Sequence, residues 1–169
     1  MKKILILALM LATSISASAQ VVRTTVQFGT IQARKDITCS FSVRLDTYIM
    51  DGAKRGELAF SIYNQKVMTG ASFCYLPYEE LPALIQTLKY AKDNPPVREA
   101  DRFSRIFYRA NNLIEFSCDS ASKSKPEPYI QISPNTSTLG AEFPWTSLDD
   151  LISMLEKCFE ILDAHCAEN

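Results

Sequence analysis

The chain has 169 residues, of which 18 are basic, 19 acidic and one a histidine, for a formal charge of −1. That balance excludes a global attraction to nucleic acid or anionic membranes, and one histidine excludes a zinc site built on several. The length suits a single domain able to bury about two-thirds of its unfolded surface.

The chain opens MKKILILALMLATSISASAQ, which reads as an export leader. Lys2 and Lys3 give a positive start, Ile4 to Ala12 an apolar run, and Ala17-Ser18-Ala19 a small-x-small cleavage site. The run is short for a membrane span, and no cysteine that could carry a lipid follows it before Cys39. The expected organisation is a signal peptide over 1–19 and a single domain over 20–169, exported to the periplasm or beyond. No transmembrane segment is expected after cleavage.

Strand signals come next. VVRTTVQFGTIQA alternates loosely through Val22, Val26 and Phe28. ITCSFSVRLDTYI alternates strictly, with Ile37, Cys39, Phe41, Val43 and Leu45 on one side. After the turn-rich DGAKRG, ELAFSIYNQKV alternates again, and TGASFCYL predicts a fourth strand. Leu81, Leu84, Ile85 and Leu88 then form one helical stripe, which Pro95-Pro96 cannot extend. Glu79 and Glu80 sit where the dipole of that helix favours negative charge.

The second half repeats this order. RFSRIFYR and LIEFSC flank Asn111-Asn112, which predicts a hairpin; residues 98–110 also fit helical spacing, and aromatic content favours the strand. YIQIS and NTSTLGAEF supply two more strand-like runs, the latter opening with the glycosylation pattern Asn135-Thr136-Ser137. A last helix is expected from Thr146 or Ser147, with Asp149 and Asp150 placed for capping. Its stripe is Leu148, Leu151, Leu155, Cys158, Phe159 and Leu162.

PYEELPALIQTL from Pro77 and PWTSLDDLISML from Pro144 are nearly one phrase written twice. Pro77 matches Pro144, Tyr78 matches Trp145, and Leu81, Leu84, Ile85 and Leu88 match Leu148, Leu151, Ile152 and Leu155. The expected fold class is α+β: duplicated ββββα units over about 20–94 and 95–169, with antiparallel sheets each covered by one helix. Each helix is expected to lie across the sheet of its own half. This element order resembles the whirly-type fold. That resemblance implies a ligand on the sheet surface, single-stranded nucleic acid in those proteins, and carries over no functional residue.

Chemical motifs are few. His165 lies five positions from the end and is expected to be solvent-exposed. The five cysteines, Cys39, Cys74, Cys118, Cys158 and Cys166, show no CxxC spacing. Cys39 and Cys118 fall on apolar strand faces, and an exported chain can also form disulfides. The carboxylate pairs Glu79-Glu80 and Asp149-Asp150 are expected to serve helix starts rather than catalysis. Arg105, Phe107 and Arg109 share one strand face, with Lys123 and Lys125 following. Such a set can hold an anionic or aromatic ligand, or can guard a sheet edge with charge. Arg105, on that outer face, is expected to matter little for stability.

No catalytic set, cofactor or metal is expected. The functional expectation is a non-catalytic, exported binding module for a protein or small ligand. Its site is expected on the exposed sheet or at the junction of the halves. The alternatives are a single-strand nucleic-acid binder and a carboxylate-based hydrolase of envelope or dietary polymers. Nucleic acid is the less expected partner, given the charge.

Overall fold

The computed structural model describes residues 21–34, 36–49, 52–64, 71–99, 102–110, 114–134 and 140–167, with the backbone of Ser14 and Ile15. The expected leader otherwise lies outside the described residues, as do Asn111-Asn112 and Asn135-Thr136-Ser137. Ser14–Ile15 (β1) is a two-residue strand paired with Val22 and Arg23.

The first unit contains β2 (Val21–Gln32), β3 (Ile37–Tyr48), β4 (Lys54–Asn64), β5 (Ala71–Pro77) and α1 (Leu81–Asp93). The second contains β6 (Arg105–Arg109), β7 (Glu115–Asp119), β8 (Tyr129–Ser133), β9 (Ala141–Pro144) and α2 (Leu148–Cys166). Each unit is an antiparallel meander followed by one helix, with strand orders β1-β2-β3-β4-β5 and β6-β7-β8-β9. The fold is therefore α+β with duplicated ββββα units. Residues 105–109 are a strand, as their aromatic content favoured.

The repeated phrase has one backbone shape in both places. Pro77 (φ −56°, ψ 147°) and Pro144 (φ −63°, ψ 151°) each close a strand and enter a three-residue 3-10 turn. Those turns are Tyr78–Glu80 and Trp145–Ser147. Leu81 (φ −63°, ψ −42°) and Leu148 (φ −64°, ψ −41°) then begin the helices. Proline fits here because its fixed φ suits the extended residue before the turn and its missing N–H is not needed there. The expected capping by Asp149 and Asp150 does not occur: Ser147 already has helical backbone, and α2 has no side-chain cap hydrogen bond.

The helices exchange sheets. Helix α1 packs against β6 and β7, and α2 against β2, β3 and β4, so each covers the sheet of the other half. This corrects the expectation that each lies on its own. The two helices run antiparallel, tied by Lys89 Nζ to Glu156 Oε1 and Lys92 Nζ to Asp149 Oδ1, both 2.6 Å. Tyr78 stacks on Phe159 of α2 with ring centres 5.6 Å apart, and Tyr108 of β6 donates to the carboxylate of Glu80 beside α1. Buried side chains from both halves form one core cluster, in which Phe60 and Phe116 meet edge-to-face at 5.7 Å. Periodicity identifies a helix's apolar stripe but not the sheet that it meets.

Gly56 in β4 allows the close approach of α2. A Cβ there would lie 2.5 Å from Leu162 Cδ2 and 3.2 Å from Cys166 Sγ. Gly56→Ala is expected to destabilise the fold by about 1–3 kcal/mol through overpacking. Adding Leu162→Ala should recover part of that loss, because the smaller side chain vacates the space. Urea titrations of the single and double variants measure both effects.

Candidate functional site

Inner positions of β3 (Cys39, Phe41, Val43) are buried, so Ser40, Ser42, Arg44 and Asp46 occupy the outer face of the first sheet. Strand register sets two charged rows at one end of that face. Arg23, Asp46 and Arg55 lie side by side across β2, β3 and β4; Thr25, Arg44 and Glu57 form the next row. Arg23 grips Asp46 with both Nε and Nη2, at 2.7 and 2.8 Å. Arg44 Nη1 lies 2.9 Å from Glu57 Oε1, and its Nε, 3.9 Å from Asp46 Oδ1, is buried without a hydrogen bond among the described residues. The Arg44 guanidinium also lies over the Tyr75 ring at 5.2 Å, and that of Arg55 over Tyr48 at 5.4 Å.

The charged residues of these rows form one wall of a cleft of about 710 Å³. Tyr78 and Cys166 also line it, so the C-terminal end of α2 contributes from the other half. Lining charges are four basic (Arg23, Arg44, Lys54, Arg55) and three acidic (Asp46, Glu57, Glu79). Arginine forks held in place by carboxylates are already oriented, so an incoming anion orders little. Arg55 differs from Arg23 and Arg44 in having no carboxylate partner among the described residues.

The hydrogen bond from Arg23 holds the Asp46 carboxyl below the usual carboxylate range. This carboxylate is fixed as a charge partner, the opposite of the raised carboxyl that a general acid requires. Tyr78 donates to Asp163 Oδ1 at 2.5 Å, which pushes its phenol up to about 12. His165 is not free at the terminus as expected. It is half-buried, and its Nε2–H donates to the carbonyl oxygen of Asp46 at 3.1 Å, pinning the end of α2 to the cleft wall.

The sequence-chosen residues fall elsewhere. Arg105, Phe107 and Arg109 do share the exposed face of β6, an edge strand. Both arginines are engaged across the ladder: Arg105 with Asp119 at 2.5 Å and Glu115 at 3.1 Å, Arg109 with Glu115 at 2.5 Å. Lys125 bonds to Glu142 and lies over Tyr129, while Lys123 is exposed in the preceding loop. Asp119 is completely buried, and Arg105 is its cationic partner. The ion pair with buried Asp119 changes the expectation drawn from the outer position of Arg105. Arg105→Ala is expected to cost about 1–3 kcal/mol, because it takes the cation from a buried carboxylate and leaves it the hydrogen bond from the Ser117 hydroxyl, at 3.0 Å. Asp119→Asn should restore part of that in the double variant; denaturant midpoints of the pair report it.

The two carboxylate pairs stand at opposite ends of the helix pair. Lys92, in the last turn of α1, reaches Asp149 in the first turn of α2, so Glu79-Glu80 lie one helix length away. That is roughly 18 Å at 1.5 Å per residue. Glycosidase carboxyls stand about 5–9.5 Å apart. Among the described residues no group of three or more metal-ligating side chains converges.

All five thiols are free. Burial pushes Cys39 up strongly, Cys74 to about 11 and Cys118 and Cys158 to about 12. Such thiols act as small apolar side chains rather than nucleophiles. Cys166, at the cleft, is only half-buried and is also raised.

The arginine–carboxylate rows were missed because Arg23, Arg44 and Arg55 are spread over three strands. Only the register brings them together. The alternation of Arg44 and Asp46 with buried Val43 and half-buried Leu45 was the available signal.

No protein-family model matches this chain, and no curated protein matches it. What the fold defines is an α+β protein of two ββββα units with exchanged helices. Among the described residues no helix is long and apolar enough to cross a membrane.

Proposed function

We propose that this chain is a non-catalytic binding module, working after export, and that it takes a small anionic ligand in the cleft at the end of the first sheet. The observation that carries this reading is the cleft itself. Three arginines are arrayed on adjacent strands, two of them held by carboxylates and the third stacked on Tyr48. The volume lies within the range of small-molecule sites, about 300–1,000 Å³. The excess of one positive charge in its lining favours an anion, and Tyr48 and Tyr75 offer ring faces beside the cations. The hydrolase alternative has less support, since Asp46 is held ionised and Glu57 is bonded to Arg44.

Arg55→Ala is expected to weaken binding of phenyl phosphate by about tenfold, which is about 1.4 kcal/mol. Its thermal stability should stay within about 0.5 kcal/mol of the parent, because Arg55 is exposed and holds no buried charge. Amide-shift titrations of labelled protein, with benzylamine as the cationic control, read out site and affinity together. Phenyl phosphate shifts that miss Arg44, Tyr48 and Arg55, or benzylamine binding equally well, would remove the proposal.

A further inference from the structure

Beside the charged cleft, the same sheet face changes character. Phe73 is 71% exposed and Tyr75 41%, both on β5, the edge strand. Next to them runs a shallow groove of about 100 Å³ with Ser40, Ser42, Ala59 and Ser61 in its lining. The register sets Tyr75 against Ala59 and Ser42, and Phe73 against Ser61 and Ser40. Among the described residues this surface is uncharged, rich in hydroxyls, and bordered by aromatic faces. Tyr75 is also the ring under Arg44, so the groove and the cleft meet at the Arg44–Tyr75 contact.

We infer that the ligand is an acidic oligosaccharide, with a sugar carboxylate at Arg44 and Arg55 and a neighbouring pyranose ring laid over Phe73 and Tyr75. This assignment rests on the cleft reading above and extends it along the sheet. The chemistry matches part by part. A pyranose ring offers an electropositive C–H face to the negative face of an aromatic ring. Its hydroxyls exchange hydrogen bonds with serine hydroxyls, which both donate and accept. Phe73 and Tyr75, two residues apart on one strand face, stand about 7 Å apart, and Arg44 lies one ring contact further. That span fits two or three sugar units. A single nucleic-acid strand would stack on the same rings, but its phosphates need cations along the whole track. Among the described residues, the groove beside Phe73 is lined by uncharged side chains such as Ser40, Ser61 and Ala59, and the cations gather at the cleft end.

The test is calorimetric titration of the full chain with four probes: tetragalacturonate, cellotetraose, an eight-nucleotide thymidine strand and inorganic phosphate. Tetragalacturonate is expected to bind about tenfold or more tighter than cellotetraose or phosphate. Phe73→Ala should weaken tetragalacturonate by about fivefold or more without changing phosphate affinity, consistent with one lost stacking contact. Phe73→Trp should retain the saccharide, and both variants should melt with the parent, since Phe73 supports no core. Arg55→Ala should weaken both anions. Tetragalacturonate binding that ignores Phe73→Ala overturns the saccharide assignment, as does tighter binding of the thymidine strand. If phosphate binds in an Arg55-dependent way and the oligosaccharide gains nothing, the saccharide assignment fails and the cleft reading stands. If neither anion binds, both fall.

Discussion

Leu151→Asp is expected to abolish cooperative folding, and Leu84→Asp to do the same. Leu151 is 1% exposed and Leu84 0%, and both belong to the core that joins the two units. Removing the leucine alone leaves a cavity worth about 2–5 kcal/mol. Placing a carboxylate there adds a desolvation penalty of several kcal/mol, with no cation assigned to meet it. The sum reaches the whole stability of an ordinary domain, about 5–15 kcal/mol. Circular-dichroism melts of both variants, with Leu151→Met as the conservative control, decide it. A sharp transition retained in either aspartate variant would mean that the stripe is not packed.

The second large effect concerns the exchanged helices. Residues 20–94 expressed alone are expected not to fold, and residues 95–169 likewise. In each fragment the sheet loses the helix that covers it: β2–β4 lose α2, and β6–β7 lose α1. The exposed faces carry Phe41, Phe60, Phe116 and Phe143, each at most 2% exposed in the whole chain. Losing that burial forfeits about 1.5–3 kcal/mol per large apolar side chain, far more than a half-sized domain can spare. Mixing the fragments should restore structure, because each supplies what the other lacks. Amide spectra of the separate and mixed fragments give the answer. Dispersed peaks from either fragment alone would mean that its helix can cover its own sheet.

The predicted change for Arg105→Ala follows the same reasoning. From sequence, Arg105 was one member of an exposed Arg–Phe–Arg strand face. In the fold its Nε meets a carboxylate that water does not reach. Alternation reports which face a residue occupies, and says nothing of how far a long side chain reaches along it.

The strand over 37–48 was legible because its period-two pattern is strict, and so were the helical stripes from Leu81 and Leu148. The Pro-aromatic phrase before each stripe was legible too, and its two copies fold to matching dihedrals. The site was not legible. Arg23, Arg44 and Arg55 are separated in sequence, and no local pattern marks a row across strands. His165 read as a frayed end because nothing near it in sequence reveals the backbone carbonyl of Asp46 that it meets.

By itself, then, the sequence determined the elements, their order and their duplication, because periodicity and turn chemistry act over a few residues. Tertiary structure alone decided which sheet each helix covers, which charges pair, and where a cleft opens. Those outcomes depend on strand register and on contacts between residues tens of positions apart, which local patterns do not encode.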